Sequence, residues 1–362
     1  MESELSPGGP DDRDFTGLVE RHRAELHAHC YRMLGSVFDA DDALQETLVR
    51  AWRGAEGLRQ ADSARAWLYR IATNVCLTEL ERRRRRVLPH DFGPPAEAST
   101  PPGEPIVEAA WIEPYPDAPL GLPAGRAAPA ASYEQHEAIE LAFVAALQHL
   151  APNQRAVLLL REVLGFSAEE AATLLETTVP SVTSALQRAR AAVRERVPAR
   201  TQQANLRALG DRALGELVER YVSAWERVDV DAFVSLLAED ASFAMPPLRT
   251  WYSPRATIDT WARATALSGA WRWRAVPTRA NAQPALGFYA YDPSTGSHLP
   301  FALNVLTLRE DGRVSDVTAF IVRAPDPAAA HGADYSRFPD RPVDERGLTG
   351  AFSRFGLPER LD

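Results

Sequence analysis

The stretch SAEEAATLLETTVPSVTSALQRARAAVR, Ser167 to Arg194, decides how this chain is read. Ser167 and Glu170 have the spacing of a capping box, in which hydroxyl and carboxylate each satisfy a backbone donor at a helix start. That short helix runs through Leu175. After a turn, Thr178 can cap a second helix, and Pro180 is tolerated there because the first turn loses no intrahelical bond. Val182, Ala185, Leu186, Ala189 and Val193 then form a buried stripe. Ser181, Ser184, Gln187, Arg188 and Arg190 are left pointing outward, and their hydroxyl, amide and guanidinium groups suit base edges and phosphates in a major groove. The pair therefore reads as a helix-turn-helix. Glu176 occupies the turn position where glycine is usual, at a cost of about 1 kcal/mol for a left-handed residue. Two short helices alone read equally well as a hairpin with a solvated basic face, so the surroundings must decide.

Residues 187–200 hold five Arg and one Glu, a local charge of +4 in a chain whose formal charge is -9. An acidic chain does not coat nucleic acid indiscriminately, so DNA contacts must come from such patches. The 362 residues exceed one ordinary core and predict two or three modules. Helical periodicity covers 14–88, proline and glycine dominate 89–131, and helical periodicity returns over 132–198. Within the proline-rich linker, Trp111-Ile112-Glu113-Pro114-Tyr115-Pro116 reads as a docking segment, since two large aromatics are costly to leave wet. Residues 206–323 begin with an amphipathic helix and continue as strands, with hairpin turns at Asp292 to Gly296 and at Asp311-Gly312. A proline- and charge-rich tail, 324–362, carries Phe352, Phe355 and Leu357, expected to fold back onto the linker or the helical modules or else to stay disordered. Cys30 and Cys76 have no disulfide-framework spacing, and no apolar run is long enough for a membrane span. A cytoplasmic protein without membrane association is expected. His27, His29 and Cys30 do not converge on one helix face, so no metal is expected.

In the first module, Asp39, Asp41, Asp42 and Glu46 place four carboxylates in eight residues at a helix start, without a nearby balancing base. The sequence Trp67-Leu68-Tyr69-Arg70-Ile71-Ala72-Thr73-Asn74 follows, and the module ends in the run Arg82 to Arg86. Such a run can meet a phosphate backbone.

These motifs, in this order with the helix pair, resemble an extracytoplasmic-function sigma-70 family factor over roughly residues 14–198. The resemblance implies an all-α region 2 (14–88) and an all-α helix-turn-helix region 4 (132–198). Asp41, Asp42, Gln45 and Glu46 would dock on the clamp helices of the largest subunit of core RNA polymerase. The loop Gly54 to Ser63 would capture a flipped base, and Trp67, Arg70, Asn74, Arg82, Arg83 and Arg84 would face the -10 element of promoter DNA. Ser181, Ser184, Gln187, Arg188 and Arg190 would read the -35 element.

Residues 206–323, with Phe243-Ala244-Met245-Pro246-Pro247, resemble an α+β SnoaL-like member of the cone-shaped NTF2-like superfamily, which includes polyketide cyclases and steroid isomerases. The resemblance implies regulation of the sigma modules in cis. Where a steroid isomerase has its base, this chain shows Ala244 and Met245. Asp240 and Asp316 read as exposed acids, and no catalytic residue or cofactor is expected. Trp225, Met245, Trp251, Tyr252, Trp261 and Phe288 could line a pocket for a small apolar ligand, or be plain core. The alternative is a helix-turn-helix regulator fused to a cyclase-like or isomerase-like enzyme.

Overall fold

The computed structural model describes residues 12–54, 64–103, 105–106, 110–117, 138–293, 295–322 and 350–362. Within these the chain divides into two compact units, one of residues 12–85 and 142–197, the other of 86–117, 138–141 and 198–362.

The first unit is entirely helical. Helices α1 (Asp12–Leu34), α2 (Val37–Arg53) and α3 (Ala64–Arg82) pack around Leu26, Tyr31, Met33, Leu68, Tyr69 and Cys76. Ser36 caps α2 by accepting the Asp39 amide at 3.1 Å. Helix α4 (Leu141–Gln148) leads to α5 (Pro152–Leu158), which continues as a π turn over Leu159–Val163. Helices α6 (Ala168–Leu174) and α7 (Val179–Arg194) complete the unit. Buried Arg155 on α5 donates to the carbonyls of Met33 and Leu150, and to both the side chain and the carbonyl of Gln148. His27 bonds Asp41 and His29 bonds Thr73, so the two histidines beside Cys30 turn to different partners. Burial pushes the His29 imidazole down to about 3, so it is neutral.

The second unit contains α8 (Gln202–Leu209), α9 (Asp211–Glu226), α10 (Val230–Ser235), β1 (Leu237–Ala244), β2 (Trp251–Tyr252) and α11 (Arg255–Ala264). It continues with β3 (Trp273–Ala280), β4 (Gln283–Asp292), β5 (Ser297–Leu308) and β6 (Val314–Ile321). The six strands form one sheet in the order β2-β1-β6-β5-β4-β3. Pairing is antiparallel except between β1 and β6, because the chain leaves β1 and returns to its side only after the β3 to β6 meander. The inner face buries an aromatic cluster that includes Tyr221, Trp225, Phe233, Phe243, Trp261 and Phe288.

The described residues of the linker, up to 117, and of the tail, 350–362, belong to this second unit. Val87 N–H donates to Ala110 O at 2.9 Å, Ala96 N–H to Trp251 O at 2.8 Å, and Ile106 N–H to Pro247 O at 3.0 Å. The aromatic segment docks: Ile112 and Tyr115 are fully buried, and the Tyr115 backbone exchanges hydrogen bonds with Asn281. Of the tail, residues 350–362 are described. They lie on the outer face of the sheet, with Phe352 and Leu357 buried. Tyr289 Oη donates to Pro358 O at 2.8 Å, and His298 and Leu361 exchange backbone bonds. Gly287 on β4 makes room for it, since a Cβ there would stand 2.5 Å from Leu357 Cδ1.

Candidate nucleic-acid and polymerase interfaces

The helix pair forms as its sequence dictates. Ser167 and Glu170 close the capping box at the start of α6, and Thr178 accepts the Ser181 amide at the start of α7. Glu176 takes a φ of 51°, the left-handed conformation that the missing glycine would have adopted freely. On α7 the residues Val182, Ala185, Leu186 and Ala189 are buried, while Ser181, Ser184, Gln187, Arg188 and Arg190 are all exposed on the opposite side. Two of these are already engaged: the Ser181 hydroxyl lies 2.9 Å from Thr178 Oγ1, and Arg190 pairs with Glu162.

Helix α3 presents Arg70 to solvent, with Trp67 and Asn74 half-buried. Arg70 Nη2 pairs with Glu176 Oε1 at 2.6 Å, and Arg65 lies 5.0 Å over the Phe166 ring and 5.1 Å over that of Tyr69. The DNA-facing helix expected of the first module thus touches the turn of the helix-turn-helix. The pair is well exposed and contributes little to stability, whereas the left-handed Glu176 costs about 1 kcal/mol. Glu176→Gly is therefore expected to raise the thermal midpoint by roughly 2 to 4 °C in a circular-dichroism melt. A lower midpoint would show that the Arg70 contact outweighs the backbone strain.

The arginine run is divided among different partners. Arg82 and Arg84 face solvent, but Arg83 pairs with Asp39 and with Glu79. Arg85 reaches His149 Nδ1, and Arg86 binds Trp111 O and Glu113. Arg83 is thus a brace between α2 and α3 rather than an open phosphate contact. The same pair corrects the view of the acidic helix start as unbalanced, since Asp39 meets Arg83, Asp41 meets His27 and Glu46 meets Arg50.

The outer face of α2 carries Asp42, Gln45 and Glu46, all exposed. Phe38, Val49 and Trp52 are also exposed, at 60%, 42% and 51%. Positions 38, 42, 45, 49 and 52 follow helical spacing and share one stripe. In the sequence its apolar members blend into the core periodicity of α2. The base-capture loop, residues 55–63, lies outside the described residues.

The sigma-70 region 2 family matches residues 18–86, the sigma-70 region 4 family residues 140–193, and the SnoaL-like domain family residues 218–317. The ECF RNA polymerase sigma factor SigG of Mycobacterium tuberculosis is 43% identical over 312 residues, 85% of this chain and 81% of that protein. The chain belongs to the extracytoplasmic-function sigma factors. The ECF RNA polymerase sigma factor SigE of Mycolicibacterium smegmatis is 31% identical over 182 residues, 49% of this chain and 59% of that one. The crystal structure of the Mycobacterium tuberculosis extracytoplasmic function sigma factor SigJ shares the fold, with a TM-score of 0.51, 22% identity and coverage of 87% and 97%.

The SnoaL-like domain of this sigma factor is not filled by its core. A cavity of about 460 Å³ opens on the inner face of the sheet, lined by Trp225, Met245, Trp261 and Phe288. Trp251 and Tyr252, expected beside them, stand outside the wall. Strand β2 turns the Trp251 indole to the Gly93 carbonyl of the linker at 3.0 Å, while the Tyr252 hydroxyl reaches Thr100 O at 2.7 Å. Asp240 pairs with Arg309 on the surface. Asp316 is less exposed than its sequence suggested, because it accepts from Ser242 at 2.7 Å and Ser315 at 2.8 Å on the face away from the cavity. Among the described residues, no helix is long and apolar enough to cross a membrane, and no group of three His, Cys, Asp or Glu gathers as a metal site.

Proposed function

We propose that this sigma factor engages core polymerase through the outer face of α2, with Asp42, Gln45 and Glu46 as polar contacts and Phe38, Val49 and Trp52 as apolar ones. The exposure of these three large apolar residues beside the acidic ones carries this reading, since such residues mark interaction surfaces. Arg70, Asn74, Arg82 and Arg84 face the -10 element, and Ser181, Ser184, Gln187 and Arg188 face the -35 element. The working modules are 14–88, 132–198 and 206–323. The two elements lie about 25 base pairs apart, roughly 85 Å at 3.4 Å per pair. Helix α3 and the turn before α7 touch here through Arg70 and Glu176, so the two readers must separate before both engage DNA.

The SnoaL-like domain regulates this step in cis and does not catalyse, in a cytoplasmic protein that needs no cofactor. In support, the cavity wall holds no acid, base or nucleophilic thiol among the described residues. Run-off transcription with core polymerase tests the reading. Promoter-specific initiation is expected, and Arg188→Ala is expected to lower output from the cognate promoter about tenfold, as loss of one good base contact. A protein that shifts duplex DNA alone, yet gives no specific initiation with polymerase, would overturn it.

A further inference from the structure

The inter-region linker builds part of the cavity wall. Residues 98–102 line it together with Trp271 and Phe301. They are held on both flanks: upstream by the Ala96 N–H to Trp251 O bond, at Thr100 by the Tyr252 hydroxyl, and downstream by the Ile106 N–H to Pro247 O bond. A molecule in the cavity would therefore touch the very segment that connects the two DNA-reading regions.

The wall also defines what can enter. It presents no Asp, Glu, His or Arg among the described residues, so a charged guest would lose its hydration without a counter-ion. Most of the wall is aromatic or aliphatic. Besides the hydroxyl residues Ser99, Thr100, Thr265 and Ser268, the wall carries one amide, Asn304, buried on β5, where its cross-strand partners are Leu286 and Ala319. Its amide lies beside the Tyr221 hydroxyl, whose ionisation burial pushes well above the usual range. A neutral amide in an apolar chamber favours a neutral guest that carries an acceptor oxygen.

We infer that the cavity is a receptor site for an uncharged, mainly apolar small molecule bearing a carbonyl or hydroxyl oxygen, with Asn304 as its polar contact and linker residues 98–102 as a wall that senses occupancy. The sensing role rests on the proposed regulation in cis; the site itself does not.

Calorimetric titration of the full-length protein with 2-acetylnaphthalene, 2-ethylnaphthalene and 2-naphthoate tests this without polymerase. The ketone is expected to bind, and the carboxylate at least about tenfold more weakly. Asn304→Leu is expected to cost the ketone about fivefold while sparing the hydrocarbon, the effect of one net hydrogen bond. The retained hydrocarbon binding guards against misfolding of that variant, and Ala302→Trp, which fills the chamber from β5, is expected to abolish binding of both. Amide exchange at residues 96–100 is expected to slow when the ketone is bound. Failure of both neutral probes, equal binding of the carboxylate, or binding that survives Ala302→Trp overturns the site. Unchanged exchange at 96–100 overturns the wall. A probe that binds as expected but leaves run-off transcription unaltered removes the regulatory role and leaves the site standing.

Discussion

Arg155→Met is expected to destabilise the helical unit by about 2 to 4 kcal/mol, read as a fall in the urea midpoint. Arg155 is 3% exposed, and its guanidinium closes backbone ends that have no helical partner of their own. Met33 lies in the last turn of α1, Gln148 ends α4, and Leu150 precedes α5, so each carbonyl is an orphan acceptor. Each left unpaired in the interior costs about 1 to 3 kcal/mol. Methionine recovers part of this, because a buried charge no longer needs desolvation. That desolvation pulls the Arg155 pKa down to about 10, which still leaves it charged at neutral pH. Arg155→Lys should fall between, since one ammonium cannot serve a fan of carbonyls as a planar guanidinium does. Because the Met33 contact joins α5 to α1, the methionine variant should also let regions 2 and 4 part, seen as a larger radius of gyration in solution scattering. An unaltered urea midpoint would mean that these carbonyls are satisfied without Arg155.

The elements that could be read from sequence are those whose cause is local. The capping box at Ser167, the Thr178 cap, the α7 stripe and even the left-handed Glu176 follow from neighbours within four residues. The docking of Trp111 to Tyr115 was legible as a tendency, since buried aromatics need a surface, but not the surface itself. What escaped were pairings across long separations. Arg83 looked like a phosphate contact because Asp39 is 44 residues away. The β3–β4 turn was missed because Asn281 and Ala282 take φ values of 54° and 57° without a glycine to announce them. That strain is compensated by partners no local reading could supply: the Asn281 side chain accepts the Tyr115 N–H and donates to Ile139 O, and the Asp117 carboxylate accepts the Ala282 N–H. Of the six residues that read as pocket lining or plain core, Trp225, Met245, Trp261 and Phe288 line the cavity, whereas Trp251 and Tyr252 turn to partners in the linker, which lie too far off in sequence to be read locally.

Glu140→Ala is expected to move transcription output to that of a chain ended after Val197, with the -35 sequence preference unaltered. Glu140 is buried, and its carboxylate accepts the Gln202 and Gln203 amides at 3.0 and 2.8 Å, capping the first turn of α8. Those glutamines continue inward: Gln202 exchanges two bonds with the Leu308 backbone, and Gln203 donates to Ala282 O at 2.8 Å. On the other side of region 4, Leu141 N–H donates to Gln283 Oε1 at 2.8 Å, and the Asn281 amide donates to Ile139 O at 2.9 Å. Residues 139–141, at the start of α4, and Gln203, beyond α7, are thus fastened to the same β3–β4 hairpin. Removing the carboxylate strands two buried N–H groups, at about 2 to 4 kcal/mol together, and unties the exit from the approach. Any influence of the SnoaL-like domain on region 4 that passes through this clamp is lost, whichever its sign, which is why the truncated chain is the reference. Gln283→Ala, which cuts the other strand of the clamp, should shift output the same way and by less: of its three bonds only that from Leu141 N–H belongs to the clamp, the others running to Leu306 O and the Thr307 hydroxyl. Full-length variants with wild-type output would place the regulatory contact elsewhere. A changed -35 preference would show that the clamp shapes α7 itself.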